Sequence, residues 1–268
     1  MIANYCVNDR PFYMYMAINS FKMLRQHNQD IPIKLFFIEG FSTDTAECGC
    51  YVSKEDFFEE CANLSVEVVV KEWRDTPGEE SYFPINKTYL AQLEDDRVLF
   101  IDVDTFIFGD VATLFDKYSD VDVAACKNRW VKRGGWSNSL LTSTRDVAPF
   151  NSGIMLFNNG FHKGRFEQWG ETVRDIREGD SALTEWLTSN GRIWNREEMA
   201  LSVMIANSDA SYAYFDRKDA YNILWPKDIE ELDKSLIAHT YTENWKTAYN
   251  IVRGNTTKKK FRPKLIRR

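Results

Sequence analysis

Alternation of buried apolar runs with helix-period segments predicts an α/β protein whose central sheet is mostly parallel and flanked by helices. Strand-like runs recur at residues 2–8, 33–38, 66–70 and 97–108, and segments with apolar residues at three- and four-residue spacing lie between them. A strand followed by a helix and another strand returns in parallel, with the helix packed on a sheet face. At 268 residues, with 44% hydrophobic and 14% aromatic residues, the chain can bury a large core, which excludes a wholly disordered protein.

Residues 2–8 form the first strand, and Asp9-Arg10-Pro11 marks a turn and helix start, because proline presets a helical φ where its missing N–H is not needed. Met14, Ile18, Phe21 and Leu24 keep one helix face apolar until His27-Asn28. Residues 33–38 are the second strand, 54–63 a helix and 66–70 the third strand. The acidic stretch 75–80, with its proline and glycine, reads as a loop. Residues 87–93 form a helix that leads into the apolar run 97–108. Residues 122–126 are again a strand, and 127–149 is a long loop rich in Arg, Ser, Gly and Trp, of the length usually reserved for function. Residues 151–158 return to strand character. A helical stretch over 164–188 breaks around Gly179, 197–206 is helical, and 235–239 is a late short strand.

No apolar run approaches the roughly 20 residues that span a bilayer, and residues 1–9 lack the basic and apolar regions of a signal peptide, so a soluble, cytoplasmic protein is expected. Five cysteines, an odd number, suit a reducing compartment better than a disulfide framework. Cys48-Gly49-Cys50 with Cys61 offers metal-binding residue types, but no second pair matches, which leaves free thiols as the expectation. The net charge of −6 conceals an asymmetry: residues 246–268 hold nine Lys or Arg and no acid, leaving 25 bases against 40 acids elsewhere. Such a block is either a solvated tail or a tether to an anionic membrane or anionic glycan acceptor. No nucleic-acid partner is expected.

The most informative residues are Asp102 and Asp104, within the apolar run 97–108. Residues two apart on a strand project to one face, so both carboxylates would enter one small volume and need a counter-charge. A divalent cation is the expected one; hard oxygen ligands suit Mg²⁺ or Mn²⁺, which commonly bridge to substrate phosphates. Taken alone, the pair also fits a strand-end turn in which one acid caps a backbone amide. A haloacid-dehalogenase-type phosphatase also places two aspartates after an apolar strand, but near the N-terminus and with Thr or Val two residues beyond the second. Here Thr105 follows at once, in mid-chain. An EF-hand fails, because Phe106 and Ile107 occupy the fifth and sixth positions of the loop.

Further residues narrow the choice. Asn151-Ser152-Gly153 opens a later strand, and His239 with Trp245-Lys246 ends the folded region. Together with the acidic pair these resemble the GT-A glycosyltransferases, specifically the glycogenin-like and galactosyltransferase-like family 8 enzymes, over roughly residues 1–248. The resemblance implies a single GT-A, Rossmann-like domain at 1–248 and a basic tail at 249–268. It implies that Asp102-Val103-Asp104 binds Mn²⁺, with Mg²⁺ as the other choice, that this ion holds the diphosphate of a UDP-sugar, and that His239 completes the metal site. An imidazole beside carboxylates favours Mn²⁺ over Mg²⁺. Lys87, fifteen residues before Asp102, matches a lysine that reaches the phosphates or sugar.

By the same resemblance, Val7-Asn8 stands at the family's uracil-binding pair, with the asparagine kept and a threonine hydroxyl absent. Pro11 takes the place of an aromatic stacking residue, leaving Phe12 or Tyr13 as substitutes. Asn151 and Ser152 match residues that hydrogen-bond donor-sugar hydroxyls, followed by Gly153. Two departures stand out. Glu197-Glu198 replaces Asp-Gln beside the donor sugar, and Thr242 replaces a glycine ahead of Lys246, the counterpart of a diphosphate-contacting lysine that here lies one place later. Trp130, Arg133 and Trp136 in the long loop offer an acceptor platform or a packed lid. His27 and His162, in polar surroundings, are expected at the surface.

The implied activity is metal-dependent transfer of a sugar from a nucleotide sugar to a hydroxyl of a glycan, glycoprotein or glycolipid. Retention at the anomeric carbon is implied as well, with Asn151 and either Glu197 or Glu198 as catalytic residues. A phosphatase, or a catalytically inactive nucleotide-sugar or glycan-binding protein, remains the alternative.

Overall fold

The computed structural model describes residues 1–40, 51–73, 83–128, 147, 149–178, 182–189, 196–223, 226–240 and 242–254. The Cys48-Gly49-Cys50 cluster, the 75–80 loop, Gly179, the platform candidates Trp130, Arg133 and Trp136, and tail residues 255–268 lie outside the described residues.

The chain begins with β1 (Ile2–Asn8), buried along its whole length, and α1 (Pro11–His27), with proline at its first turn. There follow β2 (Ile33–Glu39), α2 (Lys54–Asn63), β3 (Val66–Glu72) and a 3-10 helix at Phe83–Gln92. Next come β4 (Val98–Ile101), β5 (Thr105–Ile107), α3 (Ala112–Lys117), β6 (Val123–Lys127) and β7 (Phe150–Phe157). The last part holds α4 (Arg165–Glu178), α5 (Ala182–Ser189), α6 (Arg196–Ala206), β8 (Tyr212–Tyr214), β9 (Ala220–Ile223), β10 (Ile237–Thr240) and α7 (Thr242–Val252). Helix α7 runs past residue 248.

Seven strands form the main sheet in the order β3-β2-β1-β4-β7-β6-β8. Its pairings are parallel except for those of β7 with β4 and β6, so the mostly parallel sheet is as expected. Alternation along the strands feeds two cores: Ala3, Tyr5, Val7, Leu99 and Ile101 enter one, and Ile2, Cys6, Val98 and Phe100 the other. Sheet faces covered on both sides explain why these strands read as nearly continuous apolar runs. The chain progresses outward from β1 through β2 and β3 on one side and crosses to β4 on the other. In open α/β sheets such a reversal leaves a crevice at the carboxyl ends of the two flanking strands, where ligands bind.

Three sequence expectations are corrected. The run 97–108 is not one strand: β4 ends at Ile101, Asp102 to Asp104 turn, and β5 joins a separate three-stranded sheet ordered β5-β10-β9. The 87–93 helix is part of the 3-10 helix, with Lys87 in its middle. His162 is fully buried, its Nε2 3.1 Å from the Leu93 carbonyl oxygen, because tertiary packing covers a side chain whose sequence neighbours are polar. His27 is exposed, as expected. Among the described residues no helix is long and apolar enough to cross a membrane, and Cys6, Cys61 and Cys126 are buried free thiols.

Candidate active site

The turn from Asp102 to Asp104 sits where the two sheets meet. Asp102 N–H donates to the Gly153 carbonyl of β7 at 2.8 Å, and Thr240 donates to the Asp104 carbonyl through both N–H and Oγ1, each at 2.9 Å. Thr105 is anchored by a hydroxyl contact with Ser20 of α1 at 2.9 Å, and Ser20 meets Tyr5 Oη of β1 at 3.2 Å. Backbone and hydroxyl bonds therefore fix the turn to β7, β10 and α1, and through Ser20 to β1. The two carboxylates share one volume because of this turn, not because of strand alternation.

His239 on β10 completes the group. Its Nε2 lies 3.1 Å from Asp104 Oδ1 and 3.8 Å from Asp102 Oδ2, and one ligand atom from each of the three residues falls within 4.8 Å of the others. Gly153 makes room for the ring: a Cβ there would lie 2.2 Å from His239 Cε1. Lys87 approaches from the 3-10 helix, donating to Asp102 Oδ2 at 3.2 Å, to the Ser152 carbonyl at 3.0 Å and to Ser152 Oγ at 3.1 Å.

Burial and charge act in opposite directions on the groups of this cluster. Burial pushes the Asp102 carboxyl up, against the pull of Lys87 and His239, and Asp104 adds repulsion. Burial opposes the charged form of His239, yet Asp104 and Asp102 outweigh it and raise its pKa. Burial likewise opposes the Lys87 ammonium, and Asp102, Glu197 and Glu198 more than restore it. Nε2 of His239 thus faces both carboxylates across the space a cation could occupy. Two carboxylates and one imidazole in a space the size of a coordination sphere fit a divalent transition ion.

A second cluster adjoins the first. Glu198, on the first turn of α6, is only 3% exposed. Its Oε2 accepts from Asn128 Nδ2 at 2.6 Å, and its Oε1 accepts a short bond from Asn151 Nδ2. Asn151 Oδ1 in turn accepts from Gly153 N–H at 3.1 Å, so one chain of contacts runs from Glu198 through Asn151 to the glycine beneath His239. Glu197 is half-buried, and its carbonyl accepts from Trp169 Nε1 at 2.9 Å.

Lys87, Asp102, Asp104, Asn151, Ser152, Gly153, Glu198 and His239 are thus brought together. The Val7 and Val103 side chains belong to the core, leaving only their backbones for a ligand. Asn8 is buried at the end of β1, and its Oδ1 accepts from Arg10 N–H at 3.2 Å. Phe12 packs edge-on against buried Trp245, so of the two stacking candidates only half-buried Tyr13 remains. Lys246 is exposed on α7. Sequence reasoning missed Asn128 and Asn222, whose Oδ1 lies 3.2 Å from His239 Nδ1. Neither stands in a pattern of its own, and only strand pairing or a distant acid gives it a role.

The sequence model of glycosyl transferase family 8 matches residues 5–166. Among solved structures, galactosyltransferase LgtC in complex with donor and acceptor sugar analogs aligns with a TM-score of 0.56 and 12% identity, covering 98% of each chain. Mouse xyloside xylosyltransferase 1 aligns at 0.53 and 11%, covering 91% of this chain and 99% of that one. GlyE of Streptococcus pneumoniae aligns at 0.52 and 16%, covering 91% of this chain and 55% of that one. A search of curated proteins gave no match. At these identities the likeness is one of fold, and the shared fold is GT-A.

Proposed function

Because the chain belongs to glycosyl transferase family 8, we propose that it moves a sugar from a UDP-sugar to a hydroxyl of a glycan, glycoprotein or glycolipid, with a divalent metal and with retention. The observation that carries this reading is the group Asp102, Asp104 and His239 beside Lys87, at the crevice between β1 and β4. Asp102, Asp104 and His239 would hold a divalent ion, Mn²⁺ by their mixed oxygen and nitrogen donors, and that ion would supply Lewis-acid chemistry toward the diphosphate.

The chain's own residues do the rest. Lys87, already charged and fixed by three hydrogen bonds, places a second positive charge where the leaving group gains negative charge. Exposed Lys246 on α7 adds another from the solvent side. Asn8 and the backbone of Val7 receive the base, and the Val103 backbone lies along the nucleotide. Asn151 and Ser152 orient the donor sugar, with Gly153 giving the close approach of β7 to His239.

Of the two acids we assign Glu198 to the sugar, because it is buried and bound to Asn151, and Glu197 to the surrounding field that acts on Lys87. The Glu198 carboxylate sets the Asn151 amide and supplies negative charge opposite an oxocarbenium-like centre. The acceptor hydroxyl attacks on the face that the diphosphate leaves, and its proton passes to the departing phosphate oxygen. The buried free thiols suit a cytoplasmic enzyme. Its basic residues 255–268 provide peripheral contact with an anionic membrane.

A thermal-shift screen of nucleotide sugars with and without Mn²⁺ tests the reading, since a ligand of the folded state raises the melting temperature. The expected result is a Mn²⁺-dependent shift with a UDP-sugar, together with Mn²⁺-dependent hydrolysis. No nucleotide-sugar binding with any metal sinks the proposal. Tight UDP binding with neither hydrolysis nor transfer identifies an inactive binding protein instead. For the tail, deleting residues 254–268 is expected to reduce binding to anionic liposomes; unchanged binding removes the membrane contact.

A further inference from the structure

An imidazole can ligate a metal through Nε2 only when that nitrogen carries a lone pair, and which nitrogen keeps the proton depends on what the other one faces. In this chain Nδ1 of His239 faces Asn222 Oδ1 at 3.2 Å. Asn222 is 2% exposed on β9, and the parallel register of β9 with β10 pairs it with His239, so both side chains leave the small sheet on one face. The opposite constraint comes from the large sheet, where Gly153 leaves no space for the ring to shift: even a methyl group would overlap it. The ring is therefore held at its Nδ1 edge by one sheet and against its side by the other, with Nε2 directed at Asp102 and Asp104.

We infer that Asn222 is a positioning residue for the nucleotide-sugar reaction: its amide oxygen accepts the Nδ1 proton of His239 and so keeps Nε2 aimed, as a ligand, at the ion site formed with Asp102 and Asp104. The inference rests on the metal-dependent reading proposed above. An amide turned the other way would place an N–H against Nδ1 and force the proton of the neutral ring onto Nε2, where it blocks ligation. Partners of this kind typically change metal affinity by about 10- to 100-fold when removed.

The test is calorimetric titration of Mn²⁺ into the metal-free full chain, without nucleotide, for the wild type, Asn222→Leu and Asn222→Asp, alongside thermal melts of the metal-free proteins. Asn222→Leu keeps the side-chain volume and removes the acceptor, and is expected to bind Mn²⁺ about 10- to 100-fold more weakly. Asn222→Asp keeps an oxygen before Nδ1 and is expected to bind at least as tightly as the wild type, within about threefold. Should the leucine variant not fold, Asn222→Ser, too short to reach Nδ1, takes its place. Wild-type affinity in the leucine or serine variant overturns the role of Asn222 while leaving the metal site standing. Equal losses in the leucine and aspartate variants also overturn it, since the facing oxygen would then not matter. A wild-type protein that binds no Mn²⁺ overturns the metal reading and this inference with it.

Discussion

In the seven-stranded sheet, neighbouring β1 and β4 are buried throughout, and their apolar side chains alternate between two cores. In the three-stranded sheet, strands of three or four residues bury Thr105, Asn222, His239 and Thr240 beside their apolar residues. The first sheet stabilises the domain through apolar area, and the second uses its few backbone pairings to place polar groups. The proposed metal group at the seam draws on both: Asp102 hangs from the end of β4, Asp104 leads into β5, and His239 arrives on β10. Stability and ligand geometry should then be separable by substitution.

The largest effect is expected at the seam. Asp104→Ala should lower Mn²⁺-dependent UDP-sugar hydrolysis about a thousandfold, measured as UDP release, since it removes both a proposed ligand and a half-buried negative charge. Next is a substitution within the large sheet. Leu99→Ala, fully buried on β4, should cost about 3 kcal/mol in urea unfolding and leave the Mn²⁺ affinity of the folded protein intact. A loss of affinity equal to that of seam variants would show that the two sheets are not separable. Smaller again is Gly153→Ala. The new methyl overlaps the imidazole, so Mn²⁺ affinity should fall about 10- to 100-fold by titration calorimetry.

How much of this was legible in the sequence follows the same division. Most strands of the large sheet announced themselves because buried strands read as apolar runs, and Pro11 marked the start of α1; half-buried β8, three residues long, did not. Asp102 and Asp104 stood out as paired acids after an apolar run, whereas Asn151 and His239 were singled out only through the resemblance to family 8. The small sheet was not legible, since β5 and β9 are too short to show a period and exist through long-range pairing with β10. Asn222 gains its role only from that pairing. Glu198 and Asn128 illustrate a third case: an acid on α6 becomes interpretable only once Asn128 and Asn151 are seen donating to it.

The smallest effect concerns His162, buried away from the seam under the Leu93 carbonyl. Burial lowers its pKa below the usual 6.5, so the unfolded chain takes up a proton that the folded chain resists. Stability should therefore be fully present above pH 6.5 and decline as pH falls through that value toward the folded pKa. His162→Gln should flatten this part of a melting temperature versus pH curve. An unchanged slope would assign the acid sensitivity to other groups, those at the seam included.

The bond from Thr240 to the Asp104 carbonyl joins positions 136 residues apart. During synthesis from the N-terminus, the acidic turn leaves the ribosome long before the strand that carries its histidine. Until β10 pairs with β5, the nascent chain presents two carboxylates with no imidazole, and closing so large a loop is a late and slow event in folding. On the proposed metal reading, ion capture becomes a mark of completed folding, and a chain truncated before residue 237 is expected to lack the candidate metal site, however well its large sheet has formed.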